Sequence, residues 1–571
     1  MYRFRELAKA AKKETEGKEF SLAVLGNVAT QFLAQAIKGY AHLTGLNLKV
    51  FDADYNQIEA QLLDPASETY GFKPDYILLY LSTDKLYEEF MGLDDKGRGS
   101  FAEDILARLS TYWELIGKNT NSKILQCGFT EIDDRVFGNF GAKTEISFTY
   151  QTRKLNFILA EALSKKPGIF PVDLLSVQTA LGTGSFYDPV LYYNAKVPVA
   201  LDALGYVAKQ VTDVIRAVQG QVKKCVICDL DNTLWGGVIG DDGLSGIEIG
   251  ELGRGHVFTD LQLWLRSLKQ RGILLGVCSK NNEDTAKEPF EKHEEMVLRL
   301  SDFAIFTANW EDKAANIRYI QKTLNIGMDS LVFLDDNPFE RNLVRSMIPE
   351  ICVPELPSDP AMYLSCLQSL NLFETASYSA EDADRTGMYR AEAQRRESEA
   401  AFASIDDYLI SLEMEGSAEA FDELHYPRIA QLTQRSNQFN LRTVRYTEED
   451  IARIASDDSY VTLYYMLKDK FGDHGLVSVV IMKKETEDVF FVDTWLMSCR
   501  VLKRGMEEYI INRMVETAKA NGAKTIRAEY IPTPKNRMVE HIYDDMGFDC
   551  TGEGLYSLEV DGFNKLKTYI K

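Results

Sequence analysis

Short apolar runs separated by stretches of helical period dominate the first part of the chain. SLAVLGN (21–27), LNLKVFDA (46–53), DYILLYLS (75–82) and SKILQCGF (122–129) read as strands. The first runs into a turn and a predicted helix near 28–43. Strand–helix alternation of this kind predicts a parallel, doubly wound sheet, because a parallel neighbour is reached only by a crossover, usually helical. VTDVIRAVQG (211–220) has helical period and closes on Gly220, which suits a helix C-terminus and marks a boundary. The first predicted domain is therefore 1–220.

A second α/β unit, 221–375, opens on KKCVICDLDNTLW (223–235). It continues through the strand GILLGVCS (272–279), a helical stretch at 311–324 and the strand SLVFLDD (330–336). Residues 376–415 are charged, of helical period and without a strong apolar face, and read as a helical linker. The last unit, 416–571, has a predicted helix at 427–436, strands at 459–467, 475–483 and 489–496, a helix at 504–521 and the strand TIRAEYI (525–531). No internal repeat is seen. The expected fold class is α/β throughout, in three domains.

Composition bounds the reading. With 571 residues, 45% hydrophobic and 26% charged, the chain has material for several buried cores. A net charge of −22 argues against a nucleic-acid surface, which needs clustered cations. A site for an anionic metabolite would have to be locally positive against that field. Eight cysteines are too scattered for a disulfide framework. Cys225 and Cys228 have CxxC spacing but lie in the apolar run 222–230, and no matching second pair exists, so they read as buried strand thiols. The six histidines are too dispersed for a metal cluster. The N-terminus has no apolar signal region, and no apolar stretch of about 18 residues occurs. The expectation is a cytoplasmic protein that binds neither membrane nor nucleic acid.

The candidate chemistry lies in 225–345. One predicted strand ends in Asp229-Leu230-Asp231-Asn232-Thr233. Carboxylates at i and i+2 of a strand end can flank one phosphoryl group, one attacking phosphorus and the other moving a proton. Ser279 closes a second strand, where its hydroxyl can donate to a phosphoryl oxygen. Lys313 opens an amphipathic helix and can neutralise charge. Asp335 and Asp336 end a third strand and can hold Mg²⁺, which prefers oxygen ligands. Each feature alone is common; the four in order are not.

DLDNTL, then CS, then Lys313, then DD resembles the four-motif signature of the haloacid dehalogenase (HAD) superfamily. The longer strings CVICDLDNTLWGGVIGDDG, LLGVCSKNNE, LNIGMDSLVFLDDNPFERNLVR and LTQRSNQFNLRTVRY resemble the FkbH-like proteins of HAD subfamily IIIC. The resemblance implies a Rossmann-like core. It makes Asp229 the nucleophile, Asp231 the general acid/base, and Thr233, Ser279 and Lys313 the phosphoryl contacts. Mg²⁺ would be held by Asp229, the main-chain carbonyl of Asp231, Asp335 and Asp336. The short spacings from Asp231 to Ser279 and from Ser279 to Lys313 leave no room for a large cap.

The resemblance further implies an acyl transfer. A glyceryl unit from 1,3-bisphosphoglycerate is held as a thioester, dephosphorylated and passed to an acyl carrier protein. Cys278, beside Ser279, is the leading candidate thiol, although strand alternation turns it away if Ser279 faces the site. Cys499 is the second. His256, at a helix start between glycine-rich turns, is either a helper or a surface residue.

The flanks resemble other families. Residues 1–220 resemble an SGNH hydrolase, and flavodoxin-like α/β folds, without its catalytic residues: the turn reads Gly26-Asn27-Val28, and Asp188 is followed by Pro-Val-Leu rather than reaching a histidine. A recognition or scaffolding module, for the carrier or the acceptor, is expected. Residues 416–571 resemble a GNAT acyltransferase, with Arg500-Val501-Leu502-Lys503-Arg504-Gly505 at the loop that offers N–H groups to a pyrophosphate. Lys503 replaces a glycine there. Arg500, Arg504 and Gly505 are the candidate pantetheine or coenzyme A contacts. The polar motif 432–446 is either a solvated helix end or a contact with substrate or a neighbouring domain. The same residues also fit a phosphatase or phosphotransferase for another metabolite, for example in surface glycan modification, or a partner-binding protein with inactive flanks.

Overall fold

The computed structural model describes residues 1–378, 387, 395, 402 and 404–571, and of Cys499 the main chain only. Most of the expected linker 376–415 lies outside the described residues, as does the Cys499 side chain. The chain forms two compact units, Met1–Arg216 and Ala217–Lys571.

In the first unit, β1 (Phe20–Gly26), β2 (Leu48–Asp52), β3 (Tyr76–Tyr80), β4 (Lys123–Cys127) and β5 (Ile169–Val172) form a parallel sheet in the order β2-β1-β3-β4-β5. This is the doubly wound, flavodoxin-like order. β3 is buried along its whole length, as a central strand covered on both faces must be. β5 carries Pro171, which an edge strand tolerates because its outer N–H side needs no partner. Asn27, in the turn after β1, accepts from the Ser82 amide at 2.8 Å, and Val28, where the resemblance would need the serine, is buried. Asp188 caps the helix Pro189–Ala195 by accepting from Leu191 N at 3.0 Å.

The second unit contains two sheets. β6 (Cys225–Cys228), β7 (Leu274–Ser279), β8 (Phe303–Ala308) and β9 (Leu331–Leu334) run parallel in the order β8-β7-β6-β9. Register is set by Cys228, paired with Val277 on one side and Leu334 on the other. Cys225 and Cys228 face opposite apolar layers and are free thiols. The other sheet is mixed: β10 (Glu415–Glu419), β11 (Tyr460–Asp469), β12 (Gly472–Lys484), β13 (Val489–Met497), β14 (Thr525–Glu529), β15 (Asp549–Gly552) and β16 (Leu555–Glu559), ordered β10-β11-β12-β13-β14-β16-β15. All neighbours are antiparallel except β13 and β14. Among the described residues no helix is long and apolar enough to cross a membrane.

Candidate active site

The four sequence motifs converge at the C-terminal edge of the β6–β9 sheet, where a parallel sheet ordinarily opens its ligand crevice. Asp229 follows β6 and extends its ladder, donating its amide to Leu334 O at 2.8 Å. Asp335 follows β9. Carboxylate oxygens of Asp229, Asp335 and Asp336 all lie within 4.8 Å of one another, an all-oxygen set suited to a hard dication. Lys313, 2% exposed, begins the helix Lys313–Leu324. Its Nζ lies 2.9 Å from Asp229 Oδ2 and 2.5 Å from Asp335 Oδ2.

Three carboxylates therefore face one ammonium. Burial works against the charged form of Lys313, but Asp229 and Asp335 outweigh it and hold the ammonium well above its usual range. Asp335 and Asp336 are both pushed up, first by burial and then by Asp229. One buried cation thus serves more than one carboxylate, and Asp229 remains a repulsive neighbour for Asp335 and Asp336.

The turn after β6 places Asp231. Asn232 adopts φ 57°, a left-handed conformation that asparagine tolerates, and its Oδ1 accepts from Gly237 N at 3.0 Å. Asp231 Oδ1 accepts from Trp235 Nε1 and from Ile239 N, both at 3.0 Å, and its Oδ2 accepts from Asn281 Nδ2 at 3.2 Å. Burial, against these donors, raises its pKa. Thr233 is fully buried and accepts from Asp336 N at 3.1 Å, so it braces the third carboxylate. Ser279 ends β7, the strand paired with β6, and is 2% exposed.

Trp235, Asn281 and Arg341 received no role from sequence reasoning. Arg341, 3% exposed, donates to Asp335 O at 2.8 Å and Asp336 O at 2.6 Å, clamping the main chain of the carboxylate pair. Asn281 had a readable signal, two residues beyond Ser279 on the same strand end. Trp235 and Arg341 had none, since their contacts depend on the turn geometry.

The remaining candidates are placed elsewhere. Cys278 lies opposite Ser279, as alternation requires, and packs among Ile227, Ala314 and Ile317. Its thiol points to Lys313 O at 3.7 Å, and burial pushes its pKa up despite Lys313. A nucleophilic thiolate is therefore disfavoured in this conformation. His256 is exposed, with ring nitrogens on Glu251 O at 2.8 Å and Asp260 at 3.3 Å. Arg500 turns inward, donating to Ser498 Oγ at 3.2 Å and His474 O at 3.4 Å. Arg504 is buried, 4.0 Å from Asp469. Gly505 takes φ 77° ahead of the helix Met506–Ala520.

The FkbH N-terminal domain family matches residues 21–216. The N-terminal part of BF1531 from Bacteroides fragilis, which contains a phosphatase domain and was solved in complex with Mg, is 46% identical; the match covers 66% of this chain and 100% of that chain, with a TM-score of 0.63. This chain belongs to the FkbH-like family. It is thus an α/β enzyme of the HAD phosphatase type. The chain also matches the ribosomal-protein-S18-alanine N-acetyltransferase from Escherichia coli, at 13% identity over 25% of this chain and 94% of that one, TM-score 0.20. A GNAT-family acetyltransferase from Streptococcus pneumoniae matches at 15% identity over 25% and 96%, TM-score 0.21. Both are too loose to bear on function. No curated protein matches the chain.

Proposed function

We propose that this FkbH-like protein is a Mg²⁺-dependent phosphatase that acts on a glyceryl unit derived from 1,3-bisphosphoglycerate, on its way to an acyl carrier protein. The observation that carries the phosphatase half is the trio Asp229, Asp335 and Asp336, short of positive charge even with Lys313 in place. Mg²⁺ on these oxygens, with the Asp231 main-chain carbonyl, would supply charge neutralisation at the phosphoryl group.

The chain's own residues then divide the work. An Asp229 oxygen forms a bond to phosphorus as the bond to the leaving oxygen breaks. Asp231, whose pKa burial raises, gives a proton to that leaving oxygen. Water, giving its proton to Asp231, attacks the aspartyl phosphate and breaks its bond to Asp229, releasing inorganic phosphate and restoring the Asp229 carboxylate and the Asp231 acid. Thr233, Ser279 and Lys313 hold the phosphoryl oxygens. Family membership is what supports the glyceryl and carrier half.

A second reading, a phosphatase for another phosphorylated metabolite, is favoured by the buried thiol of Cys278. Incubation with 1,3-bisphosphoglycerate and Mg²⁺, followed by intact mass and phosphate release, separates the two. A glyceryl adduct that persists in Asp229→Asn and is lost in Cys278→Ala establishes an enzyme thioester. Glyceryl passed to an added carrier protein without such an adduct keeps the carrier reading and removes Cys278 from it. Phosphate release from other esters, with no glyceryl transfer, leaves the second reading. Retention of phosphate release in Asp229→Asn defeats both.

A further inference from the structure

β13 and β14 run parallel but pair only at their starts, from Val489↔Thr525 to Phe491↔Arg527. Beyond that point the strands part. Two diverging strands expose facing rows of N–H and C=O groups, which an amide-bearing ligand such as a pantetheine arm can enter and pair.

Here the chain has filled that gap itself. Met497 N donates to Phe439 O at 3.1 Å and Leu441 N donates to Trp495 O at 3.3 Å, so the β13 edge is taken. On the other side Ile531 N donates to Leu441 O at 2.9 Å, and Asn536 Nδ2 donates to Asn440 O at 3.0 Å. Phe439, 2% exposed, packs edge-on against Trp495 with centroids 5.2 Å apart. It stands between two cavities. One, of about 560 Å³, begins at Lys503, Gly505 and Glu507; the other, of about 290 Å³, is lined by Lys224, Arg428 and Arg435.

The phosphate end of such a ligand meets a second obstacle. The helix Met506–Ala520 would offer its first N–H groups to a phosphate. Instead the buried carboxylate of Glu507 accepts from Lys503 N at 2.9 Å. A carboxylate at that position repels a phosphate as well as competing with it.

We infer that residues 439–441 are a built-in plug that closes the acetyltransferase-like sheet to a pantetheine arm. This module therefore holds neither coenzyme A nor a carrier's phosphopantetheine between β13 and β14. The two cavities remain separate chambers. The inference stands whatever substrate the phosphatase site takes.

Hydrogen exchange on the full-length wild-type protein tests it, with coenzyme A as the probe. The amides of Leu441, Met497 and Ile531 are expected to exchange on the order of 100-fold or more slower than in an unstructured peptide. Millimolar coenzyme A is expected to leave exchange across 437–441 and 503–507 unchanged. Coenzyme A that slows exchange at 503–507 while speeding it at 437–441 would mean that the plug is displaced, and overturns the inference. Fast exchange of the three amides without ligand overturns it too, since the gap would then be open.

Discussion

Replacing Lys313 by methionine tests whether the carboxylate trio is short of positive charge. The ammonium lies 2.9 Å from Asp229 and 2.5 Å from Asp335, and is 2% exposed. At an effective dielectric of about 20, each such contact is worth at least ~4 kcal/mol of Coulomb attraction. Bringing the ammonium out of water offsets much of this, and removal of one partner from a buried pair typically costs about 3–5 kcal/mol. In the compact unit Ala217–Lys571 that corresponds to a fall in Tm of roughly 4–7 °C in EDTA. Mg²⁺ at about a hundred times its Kd adds ~2.7 kcal/mol to any protein that binds it only when folded. The variant should gain more than the wild type, because the ammonium no longer repels the ion from Asp229 and Asp335. Differential scanning calorimetry with EDTA and with Mg²⁺ gives both numbers, and phosphate release should stay lost in either. An equal Mg²⁺ gain in the two proteins, or no fall in EDTA, would refute the charge deficit.

Trp235→Phe removes the indole donor to Asp231, a hydrogen bond to a carboxylate worth about 1.5–3 kcal/mol. Its loss disfavours the ionised form, so the alkaline limb of the pH–rate profile should move up by about one pH unit, with kcat changed more than KM; an unmoved limb removes Trp235 from the proton path. Asp84, in the first unit, is pushed up from 3.8 to about 6 by burial. The folded state therefore binds its proton more tightly than the unfolded chain, and stability falls as pH rises from about 4 to about 6, by at most ~3 kcal/mol. Asp84→Asn should gain stability over wild type at pH 8 but not at pH 4, read by hydrogen exchange in Met1–Arg216; a gain equal at both pH values contradicts this. Gly220 has φ 68°, and an added Cβ would stand 1.8 Å from Gln434 O. Gly220→Ala should cost about 1–3 kcal/mol from the backbone alone and make residues 416–571 more sensitive to protease; unchanged proteolysis would mean that this contact is not what holds them.

Strand ends were the legible part of this chain. DLDNT, CS and LDD each close an apolar run, and a parallel sheet carries such ends to one edge without further information. The strands at 459–467, 475–483 and 489–496 were equally readable, being long and apolar. β5, β8, β10, β15 and β16 carried weaker signals: β5 holds a proline, and β15 has no buried residue. Trp235 and Arg341 were hidden for a different reason. Trp235 reaches it only because Asn232 turns left-handed, and Arg341 reaches the Asp335 carbonyl from a helix that begins after it. The plug at 439–441 was the hardest to see. Its motif reads as polar loop, and its role appears only once β13 and β14 are known to part.

The two edges of the β6–β9 sheet have different tasks. All four strands are parallel, so their C-terminal ends bring Asp229, Ser279 and Asp335 together, and their N-terminal ends lie on the other edge. That other edge meets the segment that carries the plug. Lys224, just before β6, donates to Arg435 O at 3.1 Å; Asn437 donates to Gly220 O at 3.3 Å; and Lys535 pairs with Asp329, ahead of β9, at 2.5 Å. The plug and two of these three contacts belong to one stretch, 435–441. The β10–β16 sheet is thus tied to the edge opposite the carboxylates. Near the carboxylate edge, Gly236 and Glu248 form a bridge in the loop after Asp231, and the exposed Trp310 donates its indole N–H to Asn282 Oδ1 at 3.0 Å.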